Sequence, residues 1–370
     1  MIFKYFLLCL IIIFSFLFFS FKITEVPPGI NGDEVPIGYN AILISRTLHD
    51  ENGRLLPIFF SSQNLTDFKQ PITTYTTALA FKIFGPSYKL MRQISVFFIL
   101  ISLTTLFFIL NKLFNLKFAL VGLVIFITIP IIMIQSHLSL ENIAPLPFIS
   151  AWLLLTYLIG KKNNIPPFLL AGVSVGLGFY SYPGMRLVTP VLIFLTYAYI
   201  LYLKRKKAFG FLIFFTVGYL PFLGVLPLIH GQYPGAILAY NRPSIPAEYQ
   251  QLILPYLSSF DVSFLFLKGD STPYHSTGKQ GMFLLATLPL FLIGCYQAIK
   301  SKNSFLILTL ITFFLLPIFY GLTGSIHRAS RLIVLIPSFV VLSTLGFKTL
   351  TLISLKYLRN ITLVLVIFFL

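Results

Sequence analysis

The chain has 370 residues, of which 57% are hydrophobic and only 10% are charged. A soluble domain carries about 25% charged residues, so the composition excludes a large soluble domain and indicates a polytopic membrane protein. The net charge of +17 does not indicate nucleic-acid binding, because the basic residues lie in short clusters between apolar stretches. The two cysteines, Cys9 and Cys295, lie in apolar stretches, which argues against a disulfide scaffold.

Eleven apolar stretches approach the length of a transmembrane helix, which is about 20 residues. We read the first as a retained helix, because no small-residue cleavage site follows it. Residues 71–84 are too short to span and are typical of a helix at the membrane interface. We predict an all-α polytopic membrane protein, one bundle of about 11 transmembrane helices over residues 1–370. The predicted spans are about 5–21, 93–110, 118–135, 143–159, 166–181, 187–203, 209–229, 282–299, 303–320, 332–347 and 360–370.

The distribution of charge predicts which side each loop faces. With a cytoplasmic N-terminus, very short inner loops contain about half of the 27 basic residues, including the run 204–207. Such loops are the positive-inside signature. The same arrangement puts all ten acidic residues and all five histidines on the outer side. We therefore expect a multi-pass protein of the plasma (inner) membrane, with membrane lipids around it and any polar active site facing outward.

The acidic residues concentrate in the first outer loop, residues 22–92, which we expect to carry short interfacial helices. Asp33 and Glu34 follow Pro27-Pro28-Gly29 close to the end of the first span and are the candidate catalytic pair; a solvated loop is the alternative. The sequence Asp50-Glu51-Asn52-Gly53 is instead typical of a turn. Six of the ten acids lie in this loop, namely Glu25, Asp33, Glu34, Asp50, Glu51 and Asp67.

Two short outer segments add further candidates. His137 and Glu141 are four residues apart at a predicted helix start, so they can share one face. The alternative interpretation is that Glu141 is an ordinary carboxylate at a helix N-terminus and that His137 is only a polar neighbour. Tyr182 is typical of an interface belt, and it is also a candidate substrate contact. Arg186 lies beside a Pro-Gly turn, and its planar donor fork suits a phosphate or a carboxylate.

The second large outer loop, residues 230–281, and the segment before the tenth predicted span complete the set. Asp270 and His275 lie among glycines, which allow a close approach of backbone to ligand. His327 and Arg328, with a further arginine three residues on, form a candidate anion site. The alternative for an arginine here is that it snorkels to the interface.

Several familiar catalytic motifs are missing from the sequence. There is no Walker sequence, GxGxxG, HExxH or CxxC, so nothing supports nucleotide binding. A metal is not required by this inventory, although Asp33, Glu34 and His137 can hold a divalent ion if they converge.

The outer segments carry a recognisable series of motifs. PPG-x-x-x-DE follows the first span, D-x-K-x-P leads into a short helix and FG, and then come HLSLEN, YSYPGMR, FLKGDSTPYHSTGKQGM and IHRASRLIVLIP. This order resembles the GT-C membrane glycosyltransferases, and most of all the bacterial branch grouped with protein O-mannosyltransferases and aminoarabinose lipid A transferases. The resemblance implies a GT-C-like bundle. It also implies a sugar donor carried on polyprenyl phosphate, no certain cofactor, and a lipid, protein or glycan acceptor.

The resemblance also implies roles for the candidate residues. Asp33 becomes the expected general base and Glu34 its partner, since transfer to a hydroxyl needs a carboxylate that takes the acceptor proton. Cations must hold the departing phosphate, and we expect Arg186 and Arg328 to do so. The remaining expected substrate or phosphate contacts are Asp67, Lys69, His137, Glu141, Tyr182, Asp270, His275 and His327.

Two other functions compete with an inverting, lipid-linked sugar transferase. A transporter is expected to have ionisable residues inside its spans and two repeated halves. Inspection of the sequence shows neither pattern. A non-catalytic envelope-assembly protein predicts no need for the Asp33 carboxylate.

Overall fold

The computed structural model describes residues 2–62, 67–237, 248–324 and 326–352. Over these residues the chain is largely helical, which confirms the predicted all-α class. The exception is a short antiparallel hairpin of β1 (Phe60–Ser62) and β2 (Asp67–Lys69) in the first outer loop, in which Phe60 pairs with Lys69 and Ser62 with Asp67. Residues 238–247 of the second large loop and the predicted last span at 360–370 lie outside the described residues.

The helices follow one another with short connections. The first half of the chain forms α1 (Ile2–Ser20), α2 (Glu34–Thr47), α3 (Pro71–Phe84), α4 (Tyr88–Leu113), α5 (Leu116–Ile127), α6 (Pro130–Ser136), α7 (Pro145–Lys161) and α8 (Pro166–Phe179). The second half forms α9 (Met185–Lys204), α10 (Ala208–Leu223), α11 (Leu226–Gln232), α12 (Tyr249–Ser258), α13 (Thr287–Lys300), α14 (Ser304–Leu315), α15 (Ala329–Leu332) and α16 (Ile336–Leu352).

The first outer loop has two helices and the hairpin between them. Helix α3 covers the predicted residues 71–84, because Pro71 stands at its first turn and Gly85, with φ +83°, ends it; this is the usual asymmetry of helix ends. The predicted turn at 50–53 is also confirmed. Asp50 Oδ1 accepts from the Asn52 and Arg54 amides at 2.9 and 2.8 Å, and Gly53 has φ +74°.

Fewer than eleven helices in the described part of the chain are long and apolar enough to be complete spans. Among the described residues, six helical stretches are long and apolar enough to cross a membrane, and the pair α5–α6, bent by 62°, makes a seventh if it counts as one span. Helices α8 and α13 have 14 residues each, or about 21 Å, which is shorter than a hydrocarbon core of about 30 Å. The count of about 11 is therefore not confirmed.

One of the six stretches, Met185–Gln232, contains two predicted spans. It folds back on itself, since the hydroxyls of Tyr197 in α9 and Tyr219 in α10 are 2.6 Å apart. Arg205, with φ +43°, lies at the reversal. The basic run 204–207 therefore forms a tight connection between two antiparallel helices.

The bundle interior is aromatic and closely packed. Trp152, Phe107 and Phe126 are completely buried. Helices α13 and α16 touch along their backbones, because a Cβ on Gly294 or Gly346 would lie within 1.9 Å of the other helix's carbonyl oxygens. Small residues permit such close helix contacts in membrane proteins, and this packing holds the C-terminal helices against the rest of the bundle.

Helix α4 is the longest helix in the described part of the chain. Its 26 residues extend about 39 Å. Its N-terminal end meets the first outer loop, where Arg92 contacts Glu34, and its C-terminal end carries Lys112. The acidic loop and the lysine-rich turns therefore lie at opposite ends of the bundle.

Candidate active site

A cavity of about 230 Å³ opens where five outer segments meet. It lies between the first outer loop, the turns at 140–142 and 182–183, the loop at 274–275, and Ser330 at the start of the last helices. Six of the residues selected from the sequence line it, and they are Asp33, Asp67, Lys69, Glu141, Tyr182 and His275.

Lys69 is the centre of the charged part of this cavity. Its Nζ lies 2.9 Å from Asp33 Oδ1 and 2.8 Å from Asp67 Oδ2. Asp67 and Lys69 share one face of β2 because alternate strand residues point the same way. The Lys69 side chain is 9% exposed whereas that of Asp33 is 62% exposed. The buried Lys69 therefore fixes Asp33 from the protein interior, while the Asp33 carboxylate remains exposed at the cavity.

The environment of Lys69 keeps it charged. Burial by itself would lower the pKa of Lys69, but the hydrogen bond and charge of Asp67 and the hydrogen bond of Asp33 outweigh it, so the pKa lies above its ordinary 10.5. The ammonium group stays protonated at neutral pH, and it fixes the two carboxylates beside it.

Glu34, next to Asp33 in sequence, has a different environment. Its side chain is fully buried and receives both Nε and Nη2 of Arg92 at 3.0 Å. The amides of Ser139 and Asn31 donate to the same carboxylate at 2.7 and 2.9 Å. These four donors occupy both oxygens, so Glu34 anchors the loop from inside and does not line the cavity.

Arg92 ties the whole entry of the first outer loop to α4. Besides Glu34, its Nη1 and Nη2 donate to the carbonyls of Ile23, Pro27 and Gly29 at 2.8, 3.1 and 2.9 Å. Its guanidinium also lies 4.3 Å from the centre of the Tyr88 ring. Because Asp33 directly precedes Glu34, this clamp fixes the backbone that carries Asp33.

Glu141 joins the HLSLEN turn to the first outer loop. It is buried, and its Oε1 accepts a hydrogen bond from the backbone amide of Gln70. Since Gln70 follows Lys69, this bond sets the position of β2 against the turn at 140–142. Lys69, Asp33, Asp67 and Glu141 all line the cavity, so its floor combines one buried lysine with three acidic side chains.

The loop at 270–275 forms the opposite wall. His275 Nδ1 lies 3.0 Å from Gln135 Nε2. Burial lowers the pKa of His275 below its ordinary 6.5, and the nearby Arg328 lowers it further, against the opposing effect of Asp270. The imidazole is therefore neutral at pH 7 and can donate or accept one hydrogen bond at each nitrogen.

Asp270 and Arg328 hold this wall in place. Asp270 is buried, and its two oxygens accept from the amides of Thr272 and Ala329 at 2.8 Å each. Arg328 is exposed and donates from Nη1 to Thr272 Oγ1 at 2.6 Å. Arg328 thus lies beside this wall but is not part of the cavity lining, and it is close enough to His275 for its charge to act on the ring.

Six predicted site residues are not among those that line the cavity. Three of them, Glu34, Asp270 and Arg328, are described above, and the others are Arg186, His137 and His327. Arg186 donates to the Ile237 carbonyl at 3.2 Å, with its guanidinium 5.9 Å from the Phe59 ring centre. His137 is buried, and its Nε2 lies 2.9 Å from the Phe21 carbonyl. His327 pairs with Asp261 at 2.9 Å. Among the described residues, no three His, Cys, Asp or Glu side chains converge as metal ligands.

Sequence reasoning did not select five residues that complete the site. Four of them line the cavity and lie inside the motifs already quoted: Asn31, Asn142, Tyr274 and Ser330. Each could have been selected from the sequence as a polar or aromatic residue within a quoted motif. The fifth is Arg92, whose signal was an arginine in the first turns of an otherwise apolar helix, where a charge needs a partner.

Comparisons with known proteins agree with this architecture. Residues 69–228 match the family model described as dolichyl-phosphate-mannose-protein mannosyltransferase, which is less than half of the chain. No curated protein sequence matches.

Solved structures match over almost the whole chain. ArnT from Cupriavidus metallidurans in the apo state is similar with a TM-score of 0.65 and 13% identity, over 95% of this chain and 61% of that one. The same enzyme bound to undecaprenyl phosphate matches with a TM-score of 0.58 and 12% identity, over 92% and 60%.

An Archaeoglobus fulgidus oligosaccharyltransferase in complex with zinc and sulfate matches with a TM-score of 0.56 and 13% identity, over 97% of this chain and 51% of that one. This chain thus spans about three fifths of ArnT and half of the oligosaccharyltransferase. At such low identity the likeness concerns the fold. The fold is that of the GT-C membrane glycosyltransferases, as the order of the outer motifs predicts.

Proposed function

We propose that the protein is an integral membrane glycosyltransferase that moves a sugar from a polyprenyl-phosphate donor to an acceptor hydroxyl, with inversion, on the outer side of the plasma membrane. The observation that carries the proposal is the Asp33 carboxylate, 62% exposed at a cavity and fixed by the buried Lys69 at 2.9 Å. The matched family model and the GT-C fold support the same class of activity.

Asp33 is the proposed general base. As the acceptor oxygen forms its bond to the anomeric carbon, the acceptor proton passes to the Asp33 carboxylate. The bond from the anomeric carbon to the phosphate oxygen breaks, and polyprenyl phosphate leaves with the electron pair. One displacement of this kind inverts the anomeric centre. Lys69, held by Asp67, keeps Asp33 oriented, and Glu34 acts as a positioning residue through Arg92.

The donor phosphate gains negative charge as it leaves, so the site needs a cation or hydrogen-bond donors near it. Arg328 is exposed and donates to Thr272 in the loop that carries His275, and the neutral His275 lines the cavity. These contacts favour Arg328 over Arg186, whose guanidinium is packed against Phe59 and the Ile237 carbonyl. Among the residues we selected for the phosphate, Arg328 is the proposed principal contact.

A second cavity supports a lipid-linked donor. It measures about 250 Å³ and has a largely apolar lining that includes Pro27, Met133 and Leu138. Tyr274 lines both this cavity and the one that contains Asp33. An apolar space beside the charged one suits the first part of a polyprenyl chain, whose burial is favourable in proportion to its apolar area. The solved ArnT complex contains undecaprenyl phosphate.

The donor class can be tested with the purified protein in liposomes. A labelled sugar is supplied either on polyprenyl phosphate or as a nucleotide sugar, with an extract of envelope lipids, proteins and glycans as acceptor. We expect transfer from the lipid-linked donor, with the anomeric configuration of the product opposite to that of the donor. Transfer from the nucleotide sugar alone, or retention of configuration, would contradict the proposal.

A further inference from the structure

Two adjoining cavities lie at the end of the bundle opposite Asp33. The first, which we call the lysine cavity, measures about 350 Å³ and is lined by Lys112, Lys161 and Lys302 among mainly polar groups. The second, the apolar groove, also measures about 350 Å³ and runs between α9 and α14 past Ala198 and Ile311. Tyr199 and Ser304 line both, so the two cavities adjoin at these residues.

The three lysines of the lysine cavity have no neutralising partner. Lys112 and Lys161 end α4 and α7, Lys302 directly precedes the cap of α14, and all three are exposed. Among the described residues, none of the three forms an ion pair, and no carboxylate lines either cavity. Three like charges around one cavity produce a positive potential that an anion would reduce.

Contacts within the protein hold the walls of the lysine cavity. Asn303 caps α14 by accepting from the Phe305 and Leu306 amides at 3.0 and 3.3 Å. The Tyr157 hydroxyl donates to the Lys112 carbonyl at 3.4 Å, and the Tyr157 and Phe305 rings meet edge to face at 5.3 Å. The lysines therefore surround a surface whose residues are fixed by contacts within the protein.

The depth of this site matches a membrane surface. Arg92 and Lys112 are 20 positions apart on α4, or about 30 Å along its axis, and the hydrocarbon core of a bilayer is also about 30 Å thick. If the clamp of Arg92 lies at one surface, the lysine cavity lies at the other. The apolar groove then runs from that surface into the hydrocarbon.

We propose that the lysine cavity and the apolar groove together bind one anionic phospholipid. The lysines hold the phosphate of the headgroup, and an acyl chain follows the groove along α9 and α14. Basic pockets between membrane helices bind anionic headgroups in this way. A free phosphate ion would use the lysines but would leave the groove empty. This proposal does not depend on the sugar-transfer reaction at the other end.

The full-length protein in detergent can be titrated with short-chain phosphatidylglycerol and the bound lipid counted by native mass spectrometry. The test variant is K112Q/K161Q/K302Q. Its matched control removes three lysines from the same end outside both cavities, Lys117→Gln, Lys206→Gln and Lys207→Gln. At about fivefold per lysine, we expect roughly 100-fold weaker binding in the test variant and little change in the control.

The groove is tested separately. Ala198 is exposed in the groove, so Ala198→Phe fills it without disturbing the core, and Leu201→Phe places the same ring on an exposed position of α9 outside it. We expect weaker phosphatidylglycerol binding only in Ala198→Phe, no comparable binding of phosphatidylcholine with the same chains, and no displacement by inorganic phosphate. Equal losses in the two lysine variants, equal binding of phosphatidylcholine, or unchanged binding in Ala198→Phe would overturn the proposal.

Discussion

Replacing Arg92 with methionine is the most informative change at the buried clamp. Both side chains of the Glu34–Arg92 pair are 0% exposed, so Arg92→Met leaves a buried carboxylate without its cation. Breaking one partner of a buried pair costs about 3–5 kcal/mol. The carbonyls of Ile23, Pro27 and Gly29 also lose a donor, which places the expected loss toward the upper end of that range.

The free energy of unfolding can be measured in mixed micelles for Arg92→Met, Glu34→Gln and the double variant. We expect Arg92→Met to be the least stable. The double variant should be more stable than the sum of the single changes predicts, because neutral glutamine needs no cation. Arg92→Lys should be intermediate, since one ammonium group cannot reach Glu34 and three carbonyls together.

The exposed pair of Lys22 and Glu25, 3.7 Å apart with side chains 54% and 66% exposed, provides the matched control. We expect Lys22→Met to change stability by less than about 0.5 kcal/mol. If Arg92→Met were as mild as Lys22→Met, or if the two changes at the clamp were simply additive, the reasoning about Arg92 would be refuted.

Three further predictions concern topology, donor binding and pH. Cysteines introduced at Arg46 and Lys206 should react with an impermeant thiol reagent in intact cells at position 46 only, and the reverse pattern would contradict the outward-facing site. Arg328→Gln should raise the donor concentration needed for half-maximal transfer, because a charge-assisted bond is stronger than a neutral one. Arg186→Gln should mainly reduce stability. If Arg328→Gln and the wild type depended equally on donor concentration, Arg328 would not contact the donor phosphate. Burial lowers the pKa of His275, so the unfolded chain binds a proton at this residue more readily, and stability falls as pH drops below about 6.5. In His275→Gln the free energy of unfolding, measured at each pH between 7 and 5, should fall less than in the wild type. An identical pH dependence in the two proteins would show that His275 is not the cause.

The residue types within the motifs predict the local structure of the first loop well. Helix α3 begins and ends where Pro71 and Gly85 indicate, and Asp67 and Lys69 lie in the short strand β2. These results depend on local rules, namely helix ends, turn residues and the two-residue period of a strand, which a sequence displays directly.

Residues with distant partners could not be assigned from the sequence. From the sequence, Asp33 is the expected base and Glu34 its partner in the site, but α2 begins at Glu34 and consecutive helical side chains point about 100° apart. One side chain therefore faces the cavity and the other faces Arg92. Arg186 and His327 are residue types that commonly bind anions. Their observed partners, the Ile237 carbonyl for Arg186 and the Asp261 carboxylate for His327, depend on tertiary packing.

Span counting shows a similar limit. Hydropathy recognises apolar stretches, but helix ends decide whether each can cross the bilayer. Pro130 starts a new helix and leaves α5 and α6 bent by 62°, and α8 has only 14 residues. Apolar character therefore marks candidate spans without fixing how many of them cross the bilayer completely.

The transfer rate of Asp33→Asn tests the central claim most directly. Asparagine keeps the size of the side chain and its hydrogen bond with Lys69, but it cannot take the acceptor proton. With a polyprenyl-phosphate sugar as donor, we predict turnover lower by roughly 10²–10⁴-fold with donor binding preserved, while Asp50→Asn in the confirmed turn stays close to wild type. Wild-type turnover in Asp33→Asn would contradict the account.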